Sequence, residues 1–151
     1  MNYELKSQSN GKEIIDKGLQ AQLLELIEQL QFEITKGCGD ELREAILSKL
    51  KLDGWSHKFK LDNQSKISLT SYKNGVVLCF QTGNMGRFYA DLLKLEYVYR
   101  NKKVDSVIYL IPSKSAAKLI GSNIANYERF IYEFDLFKDI ITIPSLIIGI
   151  Y

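Results

Sequence analysis

The feature that most constrains this chain is Asn74-Gly75, set between Lys66–Tyr72 and the unbroken apolar run Val76-Val77-Leu78-Cys79-Phe80. Asn-Gly accepts positive φ at both central positions of a two-residue turn, the geometry that matches the twist of antiparallel strands. Upstream, Ile67 and Leu69 alternate with Ser68 and Thr70, as on a strand with one buried face. Downstream, all five residues are apolar, which suits a central strand covered on both sides. From Asn84 to about Arg100, Phe88, Leu92, Leu95 and Val98 fall at helical spacing, and Val104–Ile111, apolar from Val107 onward, reads as another strand ended by Pro112. Strand 76–81, helix 84–100 and strand 104–111 therefore predict a βαβ unit with a right-handed parallel crossover.

The flanks are read from the same periodicities. Ile15, Leu19, Leu23, Leu26, Ile27 and Leu30 predict an amphipathic helix over 12–32, broken by Gly37-Cys38-Gly39. Asp40 is the expected N-cap of a second helix, with Leu42, Ile46, Leu47 and Leu50 as its stripe and Asp53-Gly54 as its end. His57–Leu61 reads as a further strand. Ser113 or Ser115 is expected to cap a short helix, and Ser122 or Asn123 the next one, whose Ile124, Tyr127, Ile131 and Phe134 repeat at helical spacing. Short strands are expected over Ile140–Ile143 and Leu146–Ile150, either side of Pro144. The first ten residues are polar and expected to fray. The resulting expectation is an α/β fold: a mixed β-sheet flanked by helices, with a central hairpin and the βαβ crossover. Its 151 residues suit one domain, 1–151, with 1–11 flexible.

Composition removes several function classes. Lys plus Arg number 20 against 18 acids, a net charge of +2, so no strong field advertises a polyanionic partner. Two cysteines, Cys38 and Cys79, and one histidine, His57, cannot supply a standard structural zinc set. The segment Met1–Lys6 has no apolar character of a secretory leader, and Ile140–Ile150 falls well short of the ~20 residues of a membrane helix. A cytoplasmic, membrane-free protein is the expectation. Gln81-Thr82-Gly83-Asn84-Met85-Gly86 carries two glycines at a strand–helix turn but lacks the spacing of a phosphate-binding loop.

An ordered series of short motifs carries more information. Gly37-x-Gly39 precedes a helix and Gly54-Trp55 follows it. The Asn-Gly hairpin leads through Val76 to Asn84, and Arg87-Phe88-Tyr89-Ala90-Asp91 opens the next helix. Gly121-Ser122-Asn123-Ile124 and a closing Ile143-Pro144-x-x-Ile147-Ile148-Gly149 complete the series. From about Gly37 to Tyr151 the chain resembles the BglII/BstYI-type restriction endonucleases, within the PD-(D/E)XK nuclease fold. The resemblance implies a restriction-endonuclease-like sheet and Mg²⁺-dependent phosphodiester hydrolysis. In that chemistry an Asp and a Glu on the hairpin strands hold the metal, which activates water and neutralises charge on the phosphate. A third polar residue two places beyond the Glu orients the water. The family spacing places these roles on Thr70, Cys79 and Gln81.

Here the chain departs from the pattern. Thr70 is a neutral hydroxyl and Cys79 a thiol, neither the hard anionic oxygen that Mg²⁺ requires. Residues 67–80 contain no acid at all. Replacement ligands are sought on helices: Asp40, Glu41 and Glu44 on the second, Asp91 on the third, with Glu41 and Asp91 the foremost candidates. By the same resemblance, Lys58, Lys60 and Arg87 hold phosphates, Gln81 and Asn84 read bases, and duplex DNA is met by a homodimer or alongside a catalytic nuclease partner. Phe88, Tyr89 and Tyr97 are candidates for a dimer surface. Each residue also has a plainer use: Cys79 as core filler, Thr70 as a β-favouring residue, Gln81 and Asn84 as a polar strand end and helix cap. Three readings follow: a DNA-binding protein with a degenerate site, an active endonuclease using helical acids, and an interaction module that kept the fold and lost DNA.

Overall fold

The hairpin is formed where the sequence puts it. In the computed structural model, which describes residues 1–64 and 66–151, Asn74 and Gly75 both take positive φ, 48° and 82°. In chain order the elements are β1 (Tyr3–Gln8), α1 (Gly11–Ile14), α2 (Lys17–Gln29), α3 (Gly39–Leu52), β2 (Phe59–Lys60), β3 (Ser68–Leu69) and β4 (Ser71–Lys73). They continue with β5 (Val76–Phe80), α4 (Arg87–Arg100), β6 (Ser106–Pro112), α5 (Lys114–Ile120), α6 (Tyr127–Leu136) and β7 (Ser145–Ile150). Among the described residues the main sheet is five-stranded, in the order β1-β7-β6-β5-β4, and β2 and β3 form a separate two-stranded ladder. The fold is therefore α/β with a mixed sheet: β5, β6 and β7 run parallel, while β4 and β1 close the edges antiparallel. Strand β5, helix α4 and strand β6 form the expected βαβ unit.

The apolar runs are explained by burial on both faces. Val76, Leu78 and Phe80 point with Ile108, Leu110, Leu146 and Ile148 towards α2 and α3, packing on Leu23, Ile27, Leu42 and Ile46. Val77 and Cys79 point the other way with Val107, Tyr109 and Ile147, against Phe88 and Leu92 of α4 and Phe130 and Phe134 of α6. Each fully covered side chain of this size contributes about 1.5–3 kcal/mol, so the two-sided sheet supplies most of the core.

Several boundaries differ from expectation for local reasons. The first residues do not fray. Tyr3–Gln8 pairs antiparallel with β7, Leu5 opposite Ile148, and its alternating half-buried pattern covers an edge that would otherwise be open. The helix expected over 12–32 is split, because Asp16 caps α2 by accepting from the Leu19 N–H at 2.8 Å. Asp40 lies in the first turn of α3 rather than at its cap, which falls on Cys38. Asn84 does not begin α4; its side chain closes a turn by accepting from the Gly86 N–H, and the helix starts at Arg87. Ser113 caps α5 as expected, but α6 is capped by Asn126 rather than Ser122 or Asn123. Residues 140–143 form no strand. They are fixed by the buried Glu96 carboxylate, which accepts from the N–H groups of Thr142 and Ile143 and from the Thr142 hydroxyl.

Candidate functional site

Parallel strands direct their carboxyl ends to one edge of the sheet, where connecting loops leave a crevice. Here β5 ends at Phe80, and the chain turns through Gln81–Gly86 into α4. A cleft of about 690 Å³ opens at that point, walled by α3, by His57, Lys58 and the segment 68–70, and by the start of α4. Thr70, Cys79 and Gln81 all line it, so the three positions singled out by spacing do converge. The β4–β5 register explains this. Ser71 lies opposite Leu78 at the end of the ladder, and Thr70 and Cys79 follow immediately beyond it along the two segments.

Thr70 is nearly buried, and its Oγ1 accepts from the Phe80 N–H at 3.0 Å, closing the ladder with a side chain in place of a carbonyl. The same oxygen accepts from Arg43 Nη2 at 3.2 Å. Arg43, from α3, also donates through Nη1 to the Phe80 carbonyl, and its guanidinium lies 5.8 Å from the centre of the Phe80 ring. No carboxylate among the described residues lies within ion-pair reach of Arg43.

The other half of the cleft floor is built around Asp91 of α4. Its Oδ2 accepts from Gln81 Nε2 at 2.5 Å and from the Tyr109 hydroxyl at 3.1 Å, and its Oδ1 pairs with Lys94 Nζ at 3.1 Å. Gln81 is held at its other end, Oε1 accepting from the Gly83 N–H. Cys79 is enclosed by this group. Burial above all, then the nearby Asp91 carboxylate, pushes its thiol well above the ordinary range, so it is protonated at neutral pH. Tyr109 is raised in the same way, burial first. A protonated, buried thiol is a poor nucleophile, and a thiol is a soft donor that does not suit Mg²⁺.

The other expected residues divide. Lys58 and Arg87 line the cleft, as do Asp40 and Glu44. Glu41 does not: it is exposed, and one residue beyond Asp40 the helix has turned by about 100°, carrying it away from the face made by 40, 43, 44 and 47. Lys60 and Asn84 are exposed outside the lining, and Phe88, considered for a dimer surface, is fully buried against Phe130. Asp91 is present, but its oxygens are already engaged. Arg43 and Tyr109 were not singled out from the sequence. The signal for Arg43 was there in part, since it stands three residues after Asp40 and one before Glu44 at the border of the apolar stripe.

A metal fits this donor set poorly. No group of three or more His, Cys, Asp or Glu side chains among the described residues converges so as to hold an ion. The positions at which the resemblance implies acids carry a hydroxyl and a thiol, and the Arg43 guanidinium is bonded to the hydroxyl.

Over residues 3–150 the sequence matches the family described as restriction endonuclease BglII/BglIII. The chain belongs to this family. Its structure is similar to that of restriction endonuclease BglII in complex with a DNA 16-mer, with a TM-score of 0.88 at 11% identity, covering 99% of this chain and 76% of that one. It is also similar to free BglII, with a TM-score of 0.76 at 12% identity over 100% and 80% of the two chains. At such identities the likeness carries the fold. No curated protein matches the sequence. No helix among the described residues is long and apolar enough to cross a membrane.

Proposed function

We propose that this chain is a restriction-endonuclease-like DNA-binding protein that receives the backbone of duplex DNA in the cleft at the end of β5 and does not cleave it. Family membership supports the duplex as ligand, as does the likeness in fold to a nuclease solved on DNA. One observation supports the loss of hydrolysis: Thr70 and Cys79, the positions at which the resemblance implies two metal-binding acids, both line the cleft, and Arg43 is bonded to Thr70. Without a divalent ion to polarise the phosphate and lower the pKa of water, phosphodiester hydrolysis loses several kcal/mol of transition-state stabilisation.

Lys58 and Arg87 act on phosphates, which position a duplex without reading it. Asn84, exposed beside the cleft mouth, is the candidate for base contact. Gln81 is tied to Asp91 and Gly83 and acts as a positioning residue. The protein works in the reducing cytoplasm, consistent with two free cysteines. It meets DNA as a two-fold dimer or beside a complete nuclease. Exposed Tyr89, Leu93 and Tyr97 recur every four residues along α4 and offer a surface for either.

The test is direct. Purified chain is incubated with supercoiled plasmid in magnesium or manganese, and with labelled duplex at rising salt. We expect no nicking, together with binding whose affinity falls steeply with salt. Metal-dependent nicking abolished by Asp91→Asn or Glu44→Gln would establish the active endonuclease instead. Absence of duplex binding at low salt would leave the interaction-module reading.

A further inference from the structure

A metal-dependent site and this cleft solve the same electrostatic problem differently. A phosphate entering the crevice needs a positive partner at the end of the hairpin, and the side chains there cannot recruit an ion. Arg43 already supplies one. Its guanidinium is pinned by the Phe80 carbonyl and Thr70 Oγ1 and lies against the Phe80 ring, so its orientation is set before any ligand arrives. A guanidinium has five N–H donors, and two are used in these contacts, leaving three for a ligand. No acid among the described residues neutralises it, although Asp40 and Glu44 share the cleft. A fixed, permanently charged planar fork of this kind matches phosphate oxygens in a bidentate way.

We propose that Arg43 is the resident phosphate-binding cation of the cleft, taking the place of the divalent metal, so that DNA is bound without any metal ion. This deepens the DNA-binding reading and rests on it. Thr70 belongs to the same device: as a neutral acceptor it orients the guanidinium without cancelling its charge. An Asp at that position would pair with Arg43 and compete with the phosphate.

The experiment uses the full chain and a fluorescein-labelled pool of random-sequence duplexes, read by anisotropy in EDTA and in excess magnesium. Wild type should bind in EDTA, and no more tightly in magnesium. In EDTA, Arg43→Gln should weaken binding roughly tenfold at ~0.1 M salt and flatten the dependence of log K on log salt by about one unit. Thr70→Asp, which keeps Arg43 and its contact with the strand, should weaken binding similarly. Circular dichroism confirms folding, and if Arg43→Gln does not fold, Thr70→Asp carries the test. Binding that appears only with magnesium, or variants that bind like wild type, would overturn the proposal. If wild type binds no duplex in either buffer, the DNA reading has failed, and Arg43 is then read separately. Dimethyl phosphate is titrated while the Arg43 side-chain Nε–H signal is followed by NMR. A saturable shift supports a phosphate seat at Arg43, and an unmoved signal overturns it.

Discussion

Removing the Asp91 carboxylate should destabilise the protein by about 3–4 kcal/mol, because the group is a buried acceptor and not a spare metal ligand. Asp91 is 6% exposed and receives hydrogen bonds from a Tyr109 hydroxyl that is 0% exposed and a Gln81 amide that is 8% exposed. In Asp91→Ala both donors lose their acceptor, and each stranded buried donor costs about 1–3 kcal/mol. Lys94 adds little, since its side chain reaches solvent. Asp91→Asn keeps the shape and one acceptor oxygen, so it should cost less, about 1–2 kcal/mol. In a double-mutant cycle, Tyr109→Phe removes one of the two stranded donors in advance. The cycle should therefore show about 1–2 kcal/mol of coupling between 91 and 109. Urea denaturation at neutral pH, with unchanged m-values, is the assay. If Asp91 were instead held ready for an ion, its removal would cost almost nothing without metal. An Asp91→Ala loss below ~1 kcal/mol, or strict additivity with Tyr109→Phe, refutes the reasoning.

Three further outcomes follow from the same structure. Both thiols should be silent to Ellman's reagent in the native state, since Cys38 and Cys79 are buried and Cys79 is held protonated; prompt reaction of Cys79 at pH 8 would show that the cleft floor is open. For Glu96, burial pushes the carboxyl up, but bonds from Arg100, Thr142 and Ile143 outweigh it and leave the folded value below the ordinary 4.5. Its contribution should thus be intact above about pH 4.5 and lost as pH falls through the lowered folded value, and Glu96→Ala, costing about 2–3 kcal/mol at pH 7, should flatten that acid limb; a wild-type-like acid titration of the variant counts against it. Gly75→Ala should cost about 1–2 kcal/mol, chiefly because residue 75 sits at φ +82°, with a rotation of the Asp105 side chain also required; an unchanged melting temperature would mean that the turn relaxes freely.

The parts of the fold legible in the sequence are those fixed by local rules. Asn74-Gly75 permits one kind of turn, and two five- to seven-residue apolar runs around an amphipathic helix leave few arrangements other than a parallel crossover. What escaped the sequence depends on partners distant along the chain. Tyr3–Gln8 is a strand only because β7 lies open beside it, and its alternation is too short and polar to announce itself. Residues 140–143 read as a strand from their β-branched content, yet Glu96, over forty residues earlier, claims their N–H groups. The site divides in the same way. The family spacing implied by the resemblance, anchored on the hairpin, pointed to Thr70, Cys79 and Gln81, and all three line one cleft. Arg43 and Tyr109 reach the site through tertiary packing, and Glu41 was misplaced by a single step around a helix.

Thr70 and Cys79 are best understood together with their neighbours. An acid at 79 would stand close to the buried Asp91, and two carboxylates crowded in one poorly solvated place are costly without a cation beside them. With Thr70 and Cys79 the demand disappears. Asp91 is satisfied by Tyr109, Gln81 and Lys94, and the small thiol fits beneath the sheet. A guanidinium can then lie where it would otherwise oppose the ion. At ~4 Å and an effective dielectric of about 20, two unit charges interact by about 4 kcal/mol, and a divalent ion beside Arg43 would meet about twice that in repulsion. Thr70→Asp alone would be neutralised by Arg43, and Cys79→Glu alone would bury a second carboxylate against Asp91. On the proposed reading, Thr70, Cys79, Arg43 and Asp91 hold one another in place, and neither Thr70→Asp nor Cys79→Glu alone would create a metal site.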